Sequence, residues 1–210
     1  MGDPSVYKQI IVAYDAEAEY HTARYLVSFP DPECDFPGLL PLLPPFPGDV
    51  LDVGAGPGRD AAWFAGQGHR VVAVEPSGQM LRRARETFPP SERLIYVQDS
   101  LPFLAALGEV PAFDLIFLNR VFMHVLPEDQ ESALLRLLTL LRPGGALYMV
   151  IRQGPPSEKG SVFRPMFPVV LDDLSHWAEN AGEVFTLHAR QPDHLGRSDV
   201  FWDFVSLQKK

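Results

Sequence analysis

The feature that most constrains this chain is a rhythm of short apolar runs. They end at Val53, Glu75, Gln98 and Leu118, so consecutive ends lie 22, 23 and 20 residues apart. That spacing is one strand plus one returning helix, and its repetition predicts successive βα units. The runs DVLDV (49–53), RVVAVE (70–75), RLIYVQ (93–98), FDLIFL (113–118) and GALYMVI (145–151) are apolar on both faces, as parallel strands covered on both sides must be. Helical stretches are expected at 59–67, 77–88 and 128–141, with a short turn at 101–107. In the last helix Leu134, Leu137, Leu138 and Leu141 form one stripe, and Arg142-Pro143-Gly144-Gly145 supplies a stop signal. A further helix at 170–180 ends at Gly182, and strand-like runs at 183–190 and 200–207 read as an antiparallel hairpin at the sheet edge. The predicted fold is α/β: a doubly wound, mostly parallel seven-stranded sheet with an antiparallel C-terminal edge.

The first 48 residues break this rhythm. Tyr7, Ile10, Ile11, Tyr14, Ala18, His21 and Tyr25 recur at three- and four-residue steps, which predicts an amphipathic helix over about 5–28. Seven prolines between Pro30 and Pro47 then exclude a helix or central strand and mark a linker or covering loop. With 210 residues and about 150 per typical domain, the expected organisation is an N-terminal helical extension with a Pro-rich linker at 1–48 and one α/β domain at 49–210.

Composition narrows the functional classes. The net charge of −9, with no Lys/Arg block longer than a pair, argues against a nucleic-acid partner. No apolar run approaches the roughly 18 residues a membrane span needs, and the N-terminus carries no leader pattern, so a cytoplasmic protein is expected. The single Cys34 forms no internal disulfide, and the six histidines show no metal-ligand spacing, so no metal site is expected. The oligomeric state is not legible.

Chemistry concentrates in the loop after the first strand, Asp52-Val53-Gly54-Ala55-Gly56-Pro57-Gly58-Arg59-Asp60. In an open α/β sheet, ligands bind outside the carboxyl ends of the strands where strand order reverses. Glycines at every second position allow a sharp turn and close backbone approach, but the sixth position from Gly54 is Arg59, so the dinucleotide G-x-G-x-x-G pattern fails. A carboxylate two residues before the first glycine would repel a pyrophosphate and attract a ligand carrying an ammonium and a sulfonium.

These residues resemble the class I S-adenosylmethionine-dependent methyltransferases. LDVGAGPGRD is similar to the family's first motif and VVAVEPSGQM to its second, and VQDS, FDLIFLNRVFMHV and LRPGGALYMV follow in order and spacing. The resemblance runs from about Asp49 to the C-terminus and implies a Rossmann-like methyltransferase fold with S-adenosyl-L-methionine as cofactor and S-adenosyl-L-homocysteine as product. It implies that Asp52, Gly54 and Gly56 surround the methionine end. Glu75 has an independent case: two carboxylate oxygens can accept from both ribose hydroxyls. Pro76 and Met80 would border the adenine, although Met80 would look the same as core packing. Asp99, with Ser100 beside it, would accept from the adenine amine or simply cap the following helix. Asn119 would lie by the methionyl group, mostly through its backbone, and Tyr14 would touch the cofactor carboxylate or serve as a core aromatic.

Methyl transfer is a displacement on an activated carbon and demands alignment and desolvation more than a catalytic base. His124 is the best-placed candidate base if one is used; a histidine that caps or packs is the plainer reading. Segments 5–29 and 152–169 are expected to form a lid. Arg152, Lys159 and Arg164 would either receive an anionic acceptor or lie on a solvated surface. The leading expectation is transfer of a methyl group to a small-molecule acceptor. The alternatives are an NAD(P)-dependent oxidoreductase and a non-catalytic cofactor-binding subunit.

Overall fold

The computed structural model describes residues 2–109, 112–155, 164–193 and 195–210. Helices α1 (Pro4–Ala16) and α2 (Ala18–Tyr25) and the one-turn α3 (Pro32–Asp35) precede the alternation β1 (Asp49–Val53), α4 (Arg59–Gly66), β2 (Arg70–Val74), α5 (Gly78–Thr87), β3 (Leu94–Val97) and β4 (Phe113–Asn119). Then come α6 (Pro127–Leu140), β5 (Leu141–Gln153), α7 (Leu171–Asn180), β6 (Val184–Pro192) and β7 (Phe201–Gln208). The seven strands lie in the order β3-β2-β1-β4-β5-β7-β6. Neighbours from β3 to β5 are parallel, and β7 runs antiparallel to both β5 and β6. The predicted hairpin is present, but its second strand inserts beside β5 and leaves β6 as the edge.

Strand order reverses between β1 and β4, which sit side by side although β2 and β3 intervene in sequence. The loops leaving these two strands therefore diverge and open a crevice at their carboxyl ends. On one face, the α6 leucines Leu134, Leu137 and Leu138 pack with Leu174 and Ala178 of α7 against Ile116, Leu118, Leu147 and Met149. All are buried, and truncating such a leucine to alanine costs about 2–5 kcal/mol. On the other face, Phe64 of α4 meets Phe117 edge-on at 5.2 Å, Phe36 meets the same ring at 5.0 Å, and Tyr148 stacks on it at 5.8 Å.

Three local departures from the sequence expectation have physical causes. The expected single helix at 5–28 divides at Glu17, whose ψ of 15° leaves the α-helical range, and it ends at Tyr25. The Pro-rich stretch does contain a one-turn α-helix and a 3₁₀ turn (Leu40–Leu42), because Pro32 and Pro41 stand in their first turns where no N–H is needed. That stretch is a cover fastened to the sheet: Leu39 is fully buried, and the Tyr148 hydroxyl donates to the Pro37 carbonyl at 2.7 Å. Finally, α6 runs straight into a β5 that begins at Leu141, earlier than the expected 145. Arg142 bridges Asp49 at 2.8 Å and Asp114 at 2.9 Å, while a Cβ on Gly145 would approach the Asp114 carbonyl to 2.9 Å, so glycine permits the bulged pairing there. Among the described residues no helix is long and apolar enough to cross a membrane.

Candidate functional site

A cleft enclosing about 850 Å³, partly open to solvent, lies at the reversal point. Its floor is the glycine loop. Gly54 turns at φ +70°, and its N–H and that of Ala55 both donate to the Val74 carbonyl, at 2.7 and 2.9 Å, tying the loop to the end of β2. A Cβ on Gly54 would meet Val121 at 2.4 Å, whereas one on Gly56 would enter open space. Gly56, at φ +54°, therefore leaves its backbone open on the cleft side.

Glu75, just past β2, is anchored by two backbone donors, Gly56 N–H and Ser77 N–H, each at 2.9 Å. Burial pushes its carboxyl up to about 7 against the pull of those two bonds, and Asp15 adds to the rise. Its remaining lone pairs suit a pair of hydroxyl donors. Met80 is buried and, with Pro76, lines the same cleft. Asp15 of α1 accepts from the Ser77 hydroxyl at 2.5 Å and from Gln79 N–H at 3.0 Å, which pins the N-terminal helix over the start of α5.

Asp52, expected to reach the cofactor's amino group directly or through water, is less accessible than Glu75 or Asp60. It is buried beneath the loop, and burial, reinforced by Asp60 and Glu75, raises its carboxyl well above the usual range, while the Ala61 N–H pulls it down. It does not line the cleft, and its Oδ2 has no hydrogen-bond partner. Asp60 lines the cleft together with Glu75 and accepts from Asn119 Nδ2 at 2.8 Å and from Arg59 Nε at 2.7 Å. Sequence reasoning stopped at the glycines and missed Asp60, though it closes the same motif. The buried Asn119 Oδ1 is left without a partner, a feature suited to an N–H donor from a ligand. Asp99 and Ser100 line a neighbouring pocket with Pro76, Ile10 and Tyr7. Both Asp99 oxygens accept locally, from Ser100 N–H and Ala106 N–H at 2.7 Å each, so the capping geometry is present.

Tyr14 and His124 meet across the mouth of the cleft, with Tyr14 Oη 2.9 Å from His124 Nε2. The Pro165 carbonyl, 3.0 Å from Nδ1, can only accept, so Nδ1 carries the proton and Nε2 accepts from the Tyr14 hydroxyl. Burial lowers the His124 pKa to about 4 and raises the Tyr14 hydroxyl, so both are neutral near pH 7. The Arg164 guanidinium caps the Tyr14 ring at 4.9 Å.

Beyond that pair opens a second, wider basin of about 2120 Å³. Tyr14, Tyr25, Arg120 and His124 line both cavities and form the wall between them. Arg152 and Arg164 both line the basin; Lys159 lies outside the described residues. Arg120 holds a left-handed φ of +64° directly after β4 and stacks on Trp202 at 4.6 Å, placements that no sequence signal announced. Among the described residues no group of three or more His, Cys, Asp or Glu is arranged to hold a metal ion.

Residues 51–149 match the family model described as "Methyltransferase domain". The chain is 31% identical over 155 residues to trans-aconitate 2-methyltransferase of Paracidovorax citrulli (strain AAC00-1), covering 72% of this chain and 54% of that protein. It is 28% identical over 155 residues to tRNA 5-carboxymethoxyuridine methyltransferase of Escherichia coli (strain K12), covering 63% of this chain and 58% of that one. The chain thus spans little more than half the length of these curated relatives. Among solved structures, the DhpI-SAM-HEP complex superposes with a TM-score of 0.71 over the full length of both chains at 16% identity. With the ordered motifs, the strand order and the glycine-loop cleft already described, these matches make the α/β domain of the chain similar to the class I S-adenosylmethionine-dependent methyltransferases.

Proposed function

We propose that the chain binds S-adenosylmethionine in the cleft between Glu75 and Asn119 and catalyses transfer of its methyl group to a small-molecule acceptor entering from the basin. The observation that supports this reading is the shared wall: among the described residues Tyr14, Tyr25, Arg120 and His124 line both the cleft, which would take a nucleoside with an amino-acid tail, and the wider basin. S-adenosylmethionine supplies a methyl group already activated on a sulfonium. The chain's own residues then have three tasks.

The first is to hold the cofactor. Glu75 takes the ribose hydroxyls on lone pairs left over from Gly56 and Ser77, Met80 and Pro76 face the base, and Gly56 lets the tail lie on the backbone. Asn119 Oδ1 and Asp60 receive the ammonium, with the buried Asp52 behind them. Asp99 and Ser100 bound the adenine end. The second task is exclusion of water, for which residues 1–48 serve as a lid over the α/β domain of 49–210, pinned by Asp15. The third is alignment. His124 is a positioning residue rather than a base: its free nitrogen is taken by Tyr14, and a pKa near 4 makes it a weak proton acceptor.

The relative that acts on trans-aconitate and the acidic character of this chain support a small acceptor; the relative that acts on tRNA supports the competing one. Labelled S-adenosylmethionine offered with a panel of small organic acids and, separately, with unfractionated tRNA decides between them. The proposal expects label in the small-molecule fraction, and label confined to RNA would contradict it.

A further inference from the structure

The basin wall carries the opposite charge to the chain as a whole. Five arginines line it against three carboxylates among the described residues, in a protein of net charge −9. Those carboxylates are unevenly spent. Asp193 is saturated: Arg197 donates from Nε at 2.8 Å and Nη2 at 2.7 Å, Trp202 Nε1 donates at 3.0 Å and Leu195 N–H at 3.0 Å. Glu17 is engaged by Arg164 at 3.3 Å and His21 at 3.4 Å.

Two guanidiniums remain held by neutral oxygens alone among the described residues. Arg24 donates to the Tyr20 hydroxyl at 3.0 Å, and Arg152 donates from Nη1 to the Gly154 carbonyl at 3.0 Å. Arg152 is the more telling. It projects from the central strand β5, opposite Trp202 in register, and is only 7% exposed. Asp193 and Asp199 lie near enough to favour its charge, but neither bonds it, and burial still outweighs them. A buried cation with no carboxylate in contact is costly, and a guanidinium presents paired N–H donors whose natural complement is a planar or tetrahedral oxyanion.

From this geometry we infer that the acceptor carries an oxyanionic group, carboxylate or phosphoryl, that seats on Arg152 in the basin, with Arg24 at its outer edge. The inference rests on the methyltransferase reading above and names the class of acceptor. Such a group on Arg152 leaves the rest of the acceptor to extend along Arg120 toward the Tyr14–His124 wall. Arg152 is then a binding and specificity residue.

The test is calorimetric titration of the S-adenosylhomocysteine-saturated chain with citrate, with inorganic phosphate and with choline, in constant sodium chloride. The expected result is saturable binding of citrate or phosphate and none of choline, with the tighter anion naming carboxylate or phosphoryl as the class. Arg152→Met should weaken that anion tenfold or more while leaving S-adenosylhomocysteine affinity within about threefold. Arg24→Gln, on an exposed helix, should weaken it two- to fivefold and supplies the readout if Arg152→Met does not fold. Neither anion binding better than chloride, or unchanged anion affinity in the folded variant, would overturn the inference. Labelled tRNA in the transfer assay would instead sink the small-acceptor reading, and the two failures are read on separate instruments.

Discussion

The cleft and the basin share a wall, yet they are built in opposite ways. The cleft is made at the ends of β1, β2 and β4, with α1 and α2 across from them, and much of its floor is backbone: Gly54 and Gly56 at positive φ, and N–H groups closing on Glu75 and the Val74 carbonyl. The basin is made of side chains gathered from α1 and α2, the turn after β4, the end of β5, the segment near Arg164 and the β6–β7 connection. A backbone site tolerates little variation at a few positions. A side-chain site can be rewritten one residue at a time without disturbing the sheet. Under the proposed function, the donor site is then the constant part and the acceptor site the variable one.

The sharpest way to break this comparison is Gly56→Val. Nothing in the protein obstructs a side chain there, so only a left-handed φ is strained, at about 1–3 kcal/mol. The chain should still fold, and S-adenosylhomocysteine affinity by calorimetry should fall at least a hundredfold. Retained affinity would mean that the loop is not the cradle. Next in size, His124→Ala and Tyr14→Phe should each lower kcat by about ten- to a hundredfold with cofactor Kd within threefold. The wild-type kcat should stay flat from about pH 5.5 to 8.5, because the His124 pKa is already pushed down to about 4. An acid limb near 6.5 that vanishes in His124→Ala would restore the histidine as a base.

Glu75 gives a smaller, pH-dependent effect whose sign follows from its raised pKa. The carboxyl is protonated below about 7 in the free protein and ionised above, and ribose hydroxyls bind the ionised form better. Cofactor affinity should therefore rise about tenfold between pH 5.5 and 8.5, and Glu75→Gln should flatten that slope. The same shift makes Glu75 a stability cost that grows from its unfolded pKa of 4.5 to about 7 and is constant above. Smallest of all, Asp15→Ala removes the two contacts that pin α1 to α5; cofactor dissociation by stopped flow should quicken about threefold.

The contrast between the two cavities also explains what the sequence discloses. The βα rhythm announced the strands of the parallel sheet because a strand buried on both faces must be apolar throughout. The glycine loop and Glu75 were legible because only certain residues satisfy such backbone geometry. Asp60 is the harder case: it closes the glycine motif at the first turn of α4, and its place in the cleft depends on Asn119 arriving from the distant β4. Arg24, Arg197 and Trp202 carried no local signal. Their meeting depends on β7 inserting between β5 and β6, an arrangement set by long-range pairing rather than by any short pattern.

A crystal structure of the chain with S-adenosylhomocysteine bound tests the central claim most directly. The account predicts both ribose hydroxyls within hydrogen-bond distance of Glu75, the amino-acid tail over Gly56 toward Asn119, and the sulfur facing the Tyr14–His124 wall. Density for the adenosine elsewhere, with the space above Gly56 vacant, would contradict it.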